Sequence, residues 1–438
     1  MRSKMSWTST IPRSQAWLTV AVAAMLLSTQ HSVSASATGG LASDHRTKSV
    51  KVKTRRLGGR HGAHCGQGWQ DTYSHLHAAI LESEASRQRL AVVNLHRNGL
   101  GDRLTAAVTV FYYALLSGRA FQINWRGAST EATLAAVMEK ANVDWEAARG
   151  DVAGGGGTQY VDWWLIDGHH PPDAMDFKVF GGANLSDMWP DARTVVFDIN
   201  TGAVDKLFYN PYHRQQLFTW GLRPETAVGC ALNYLFRPRR ETLEVVRESY
   251  EALRNPDALK IGIQVRMGDA WLQHKPNGVC DRKIDYDDLG RWFRCASKVE
   301  QEYKVEGMPV HWYVVSDCPA LRYKAVEKYG LKVLLPSREL VTEHVTFSTG
   351  NSTKDVLAMR TAFAEQWLLG MTDFQVITEE SSFGRLAALR SLRFRSVYTM
   401  RSPAAMAERG RNVSWECTRS NFDNFEEVAI NHPWVKVL

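Results

Sequence analysis

No Cys-x-x-Cys pair occurs in the 438 residues, which removes the ligand spacing expected of a structural zinc site. Near the amino terminus the apolar run Ala16–Leu27 falls short of the roughly twenty residues that span a bilayer comfortably. The folded part also lacks net positive charge. Residues 1–60 hold ten Lys or Arg and a single acid, Asp44, so that segment carries +9 of a chain total of +7 and about −2 is left for everything else. A nucleic-acid footprint has to cluster on the domain itself, so no nucleic-acid partner is expected.

What is there begins with a targeting signal. Arg2, Lys4 and Arg13 precede the Ala16–Leu27 core, and Ala35-Ser36-Ala37 supplies a cleavage site. Residues 1–37 therefore read as a signal peptide or a short signal anchor, with a membrane tether at the N-terminus as the second form. Residues 38–67 are Gly-, Ser- and Lys/Arg-rich without apolar periodicity, the composition of a flexible basic stem. Six cysteines suit the oxidising compartment such a signal leads to, and they leave fifteen pairings open. Three sequons, at Asn184, Asn351 and Asn412, fit lumenal glycosylation.

After a helix carrying Leu76, Ile80 and Leu81, a strand is expected over Leu90–His96. It is followed by the turn Arg97–Arg103, a helix over Leu104–Leu116 closed by Gly118, and a strand over Phe121–Trp125. That is one βαβ unit. Gly150–Gly157 reads as a loop, and strands are expected near Thr158–Ile166 and Thr194–Asn200. Asn210–Arg240 reads as aromatic and irregular, a stretch where an acceptor surface or buried aromatics would lie. His169-His170 precedes Pro171-Pro172 with no acidic partner at ligand spacing, so a loop is expected rather than a metal site.

A second series starts at Lys260. Strands over Lys260–Val265, Val310–Val315, Leu331–Leu335, Phe374–Thr378 and Ser396–Tyr398 alternate with helices over Ile284–Tyr303, Ala320–Tyr329, Lys354–Leu369 and Arg385–Leu392. Such alternation predicts an α/β chain with parallel sheets wrapped by helices. We expect two Rossmann-like domains facing a cleft, residues 68–255 and 256–438.

Ligands of open α/β sheets bind outside the carboxyl ends of strands. Arg266 and Asp269, Ser316 and Asp317, and then Ser381 and Ser382 at a helix amino terminus all stand at such ends. Hydroxyls, a helix N-terminus and a guanidinium fork make an anion site. Gly99 and Gly101, with Asp102 and Arg103 behind them, place backbone N–H groups at the start of another helix. Each feature also has a plain structural use: Arg266 in an ion pair, Ser381 or Ser382 as a helix cap, the glycines in tight packing.

At these residues the sequence resembles the metal-independent, GT-B-like fucosyltransferase superfamily, nearest to the plant-type xyloglucan group. The matching segments are Gly99-Leu-Gly-Asp102, Gln264-Val-Arg266, and Trp367–Gly384 with its Ser381-Ser382-Phe383-Gly384 end. Asp102 stands where that family has Asn, and Gln264 where many members have His. The resemblance implies transfer of fucose from the donor GDP-fucose, with inversion and without a metal cofactor, to a glycan or glycoprotein acceptor in the Golgi lumen. It implies that Arg266 neutralises the departing diphosphate, that Ser381 and Ser382 bind it, and that Asp317 lies near the nucleotide. Asp269, Asp102 and His274 are candidate bases. Asp285-x-Asp287 imitates a metal motif but opens a helix, where acidic residues favour the dipole. Another nucleotide-sugar transferase of the same fold and a non-catalytic lumenal carbohydrate-binding protein are the competing readings.

Overall fold

The computed structural model describes residues 65–95, 98–147, 157–163, 179–199, 202–267, 286–336, 339–379, 381–393, 396–400 and 417, with the side chains of 286–289 outside that description. The leader, nearly all of the stem, the 150–156 glycines, His169-His170 and the Asn412 sequon lie outside it. Among the described residues no helix is long and apolar enough to cross a membrane.

Before residue 240 the strands are β1 (Leu90–Leu95), β2 (Ala120–Trp125), β3 (Met138–Lys140), β4 (Thr158–Trp163), β5 (Thr194–Ile199) and β6 (Phe236–Pro238). Four of them form a parallel sheet in the order β2-β1-β5-β4, and β3 pairs antiparallel with β6. Beyond it β7 (Leu259–Val265), β8 (Val310–Ser316), β9 (Val333–Leu334), β10 (Phe374–Thr378) and β11 (Val397–Met400) form a second parallel sheet, ordered β11-β10-β7-β8-β9. All seven residues of β7 are buried, as a central parallel strand covered on both faces requires. The chain leaves β7 toward β8 and β9 and later returns to place β10 on the other side. That reversal opens a crevice at the carboxyl ends of β7 and β10. The first sheet reverses in the same way between β1 and β5.

Helices α1 (Trp69–Glu82), α2 (Leu100–Ser117), α3 (Arg214–Thr219), α4 (Pro224–Leu235), α5 (Arg240–Glu244) and α6 (Arg247–Arg254) accompany the first series. The second series carries α7 (Tyr286–Tyr303), α8 (Pro319–Tyr329), α9 (Ser352–Leu369) and α10 (Ser382–Ser391). The largest core cluster runs from the first sheet through α2 and α4 into Leu386, Ala388 and Leu389 of α10. Close approach makes this possible. A Cβ on Gly229 of α4 would fall 2.2 Å from the Leu389 carbonyl oxygen, and one on Gly101 of α2 would fall 2.7 Å from the Phe383 nitrogen. Only glycine fits either contact.

Three expectations change. Helix α2 starts at Leu100 rather than Leu104, because Leu100 and Leu104 are both buried one turn apart on the same stripe. Asn210–Arg240 is largely helical, forming α3 and α4. In α1 the buried stripe is Trp69, Tyr73 and His77, while Leu76 is 38% exposed. Aromatic bulk decided that face: Tyr73 donates to the Arg119 carbonyl at 2.9 Å, and Trp69 packs on Phe111 and Tyr234.

Disulfides join Cys65 to Cys230 and Cys295 to Cys417. Cys65 falls within the expected stem, yet its carbonyl also accepts a hydrogen bond from the Trp69 indole at 2.8 Å. A chain shortened to begin at Gln70 is therefore expected to lose about 3–5 kcal/mol relative to one beginning at residue 62, from the missing Trp69 alone. Equal melting temperatures for the two would contradict this.

Candidate active site

A cavity of about 340 Å³ lies at the crevice. Its walls come from the start of α2 (Gly99, Leu100, Gly101, Asp102), the ends of β7 and β8 (Gln264, Arg266, Ser316, Asp317), one face of α9, the start of α10, and the segment Val341–Val345.

Two helix amino termini meet there. Neither Gly99 nor Ser381, the residues that precede α2 and α10, gives its helix a side-chain cap. The first N–H groups of a helix have no partner within it and carry a partial positive charge. Two such ends in contact through Gly101, Ser382 and Phe383 make a locus of positive potential. Ser381 is bound from behind: the Gln264 amide donates to its Oγ at 3.1 Å, and the Gln264 carbonyl accepts from the Thr378 nitrogen at 3.1 Å. Both ends of the buried Gln264 side chain are thus engaged, so it orients Ser381 while lining the wall.

Arg266 stands on the wall. Its backbone nitrogen donates to Thr378 Oγ1 at 2.9 Å and its Nη1 to Asp317 Oδ2 at 2.9 Å. The Met267 nitrogen donates to the other Asp317 oxygen at 2.8 Å. Asp317, expected beside the nucleotide, lines the cavity and also anchors the guanidinium. The Arg266 side chain keeps 31% exposure against 6% for Asp317.

Asp102 accepts a hydrogen bond from Ser382 Oγ at 2.8 Å. Burial raises its pKa to about 6, opposed by that bond and by the charges of Arg266 and Arg103. Arg103 does not face the cavity. It donates to the carbonyls of Asn98 and Arg126, both at 2.7 Å, and to Thr346 Oγ1 at 3.1 Å, and it lies over the Trp125 ring. Its expected ligand role is replaced by a structural one. Burial brings its pKa down to about 10. Asp269, His274 and Asp285, together with the side chain of Asp287, lie outside the described residues.

Two groups are absent from the sequence reading. His344 lines the cavity opposite Gly99; burial, then the charges of Arg266 and Arg103, lower its pKa to about 4, so it is neutral at pH 7. It lies in the segment between β9 and α9, which has no periodicity to mark it in the sequence. Glu365 lies on the α9 face with Ala358, Thr361 and Ala362 and forms a buried ion pair with Arg322. Burial raises its pKa to about 7 against the attraction of Arg322. Its spacing from Ala358, Thr361 and Ala362 on one helical stripe was the available signal.

No family model and no curated protein matches the sequence. Among solved structures, the chain superposes on a point mutant of Arabidopsis thaliana FUT1 in complex with GDP. The TM-score is 0.53 and the identity 16%, over 76% of this chain and 79% of that one. The two share a fold. The α-1,6-fucosyltransferase NodZ of Bradyrhizobium, soaked with GDP-fucose, aligns at 17% identity over 69% of this chain and 92% of its own, with a TM-score of 0.45. POFUT1 in complex with GDP-fucose aligns at 9% identity over 70% and 95%, with a TM-score of 0.38. The fold match is with the first of these.

Proposed function

We infer that the chain is an inverting glycosyltransferase that moves fucose from GDP-fucose to a glycan or glycoprotein acceptor in the lumen of the secretory pathway, the Golgi lumen above all. In this reading the two sheets belong to two Rossmann-like domains, residues 68–255 and 256–438, with the site in the cleft between them, and the amino terminus serves as signal or tether. The observation that carries it is the junction of two uncapped helix amino termini beside Arg266. A diphosphate takes backbone N–H groups from α10, that of Ser382 among them, the Ser381 hydroxyl, and the guanidinium whose direction Asp317 sets.

Glu365 supports guanine as the base. A carboxylate accepts from two N–H groups on one edge, the pattern guanine offers and adenine lacks, and Ala358 and Ala362 give an apolar wall beside it. Helix ends and Arg266 together supply positive potential without a divalent ion. The rival transferase reading differs in the donor and the lectin reading in having no turnover, so one set of measurements separates them. GDP is expected to bind in the presence of EDTA and raise the melting temperature, with UDP and ADP at equal concentration doing so far less. GDP release from GDP-fucose is expected to continue under the same conditions. A preference for UDP would move the reading to another donor; binding without turnover would favour the lectin; a strict need for manganese would return Asp285 and Asp287 to consideration.

A further inference from the structure

The anion site contains a group that works against it. Asp102 lines the same cavity as Arg266 and Ser382, and a carboxylate beside a bound diphosphate repels it. Acidic residues are common in the first turn of a helix because they complement its dipole while exposed to water. This one is half-buried and faces α10. Its Oδ1 accepts from Ser382 Oγ; its Oδ2 has no hydrogen-bond partner among the described residues. Gly101 presses the first turn of α2 onto Ser382 and Phe383, so the carboxylate sits next to any sugar whose C1 is joined to a diphosphate seated on α10.

We propose that Asp102 is the general base of the transfer reaction. Its Oδ2 takes the proton of the acceptor hydroxyl as that oxygen bonds to C1 of fucose. The C1–O bond to the diphosphate breaks in the same step, its electron pair leaves with GDP, and the proton then passes from Asp102 to solvent. Ser382 holds Oδ1, which orients the other oxygen toward the acceptor. The charged and titratable groups around it are Arg103 on its own helix, Arg266 at the end of β7, Asp317 at the end of β8, Glu343 and His344 from the segment after β9, and Glu365 on α9. Arg103 is charged at neutral pH and below, and His344 is neutral above about pH 5. The acidic limb of the rate near pH 6 is assigned to Asp102, and Glu365, held near 7 in the same cavity, is told apart from it because a limb of its own would survive in Asp102→Asn.

This inference rests on the GDP-fucose reading, and the test separates the two. The reaction to follow is GDP release from GDP-fucose with water as the acceptor, alongside GDP affinity by calorimetry. In Asp102→Asn the release rate is expected to fall about 10²–10³-fold, with GDP affinity equal or higher because a repulsive charge is gone. The limb near pH 6 is expected to vanish. In Asp102→Ala, sodium azide is expected to restore release at least tenfold and to yield fucosyl azide of inverted configuration, because azide attacks C1 without giving up a proton. Wild-type protein should gain nothing comparable. Unchanged release in Asp102→Asn, a loss matched by lost GDP affinity, or no azide rescue while GDP still binds would each overturn the assignment. If wild-type protein neither binds GDP nor releases it from GDP-fucose, the donor reading itself falls.

Discussion

Arg266→Lys is expected to lower turnover about 10²–10³-fold while leaving the melting temperature close to wild type. As the bond to C1 breaks, charge grows on the diphosphate, so a donor fixed in advance acts mainly on the transition state. Arg266 is fixed in this way: it follows a fully buried strand, its nitrogen is bonded to Thr378, and Asp317 holds its guanidinium. Lysine keeps the charge beside Asp317 but loses the planar fork. Arg266→Ala is expected to lose as much rate and also stability, because the buried Asp317 carboxylate would lose its paired charge. GDP release and thermal melting on both variants decide the matter. A destabilised but fully active Arg266→Lys would mean that the ion pair is the whole purpose of Arg266.

Arg322→Met is expected to cost about 3–5 kcal/mol, because it leaves Glu365 without its partner in the interior. The sign of the pH dependence follows from the carboxyl. Burial already holds its pKa near 7, above its unfolded value, so ionising it costs the folded state stability as pH rises through that window. Removing Arg322 takes away the main attraction that holds the pKa down. The titration then moves higher, and the variant's deficit grows as pH rises past 7. Urea unfolding at several pH values between 5 and 9 measures this. A deficit that stays constant across the range would show that Glu365 is not the group left stranded. If Glu365 also reads guanine, the variant should lose preference for GDP over ADP.

Much of this architecture was legible in the residues. The alternation of strands and helices gave both parallel series, and the ends of β1, β7, β8 and β10 fell within a residue or two of their expected places. Gly99, Gly101, Arg266, Ser381 and Ser382 do line one cavity, as strand-end placement suggested. These signals survive in a bare sequence because they are local. A parallel strand covered on both faces is a short, nearly continuous apolar run, a helix begins where the chain turns after it, and in a parallel sheet every such turn lies at the same edge.

What tertiary structure decided was pairing. Asp317, placed at a strand end by its sequence, pairs with Arg266, 51 residues away. Arg103 was expected at the anion site and is spent on the Asn98 and Arg126 carbonyls and Thr346. Asp102 finds Ser382 across 280 residues, and that one bond turns an ordinary first-turn acid into a cavity wall. The segment carrying His344 has no periodicity and declared nothing until it packed against Gly99. Sequence thus determined where charged and hydroxyl groups stand on each element. Only the folded chain decided which of them face one another, because a side chain's partner is set by the packing of helices and strands that the sequence separates widely, and by which buried donors and acceptors must satisfy each other once water is gone.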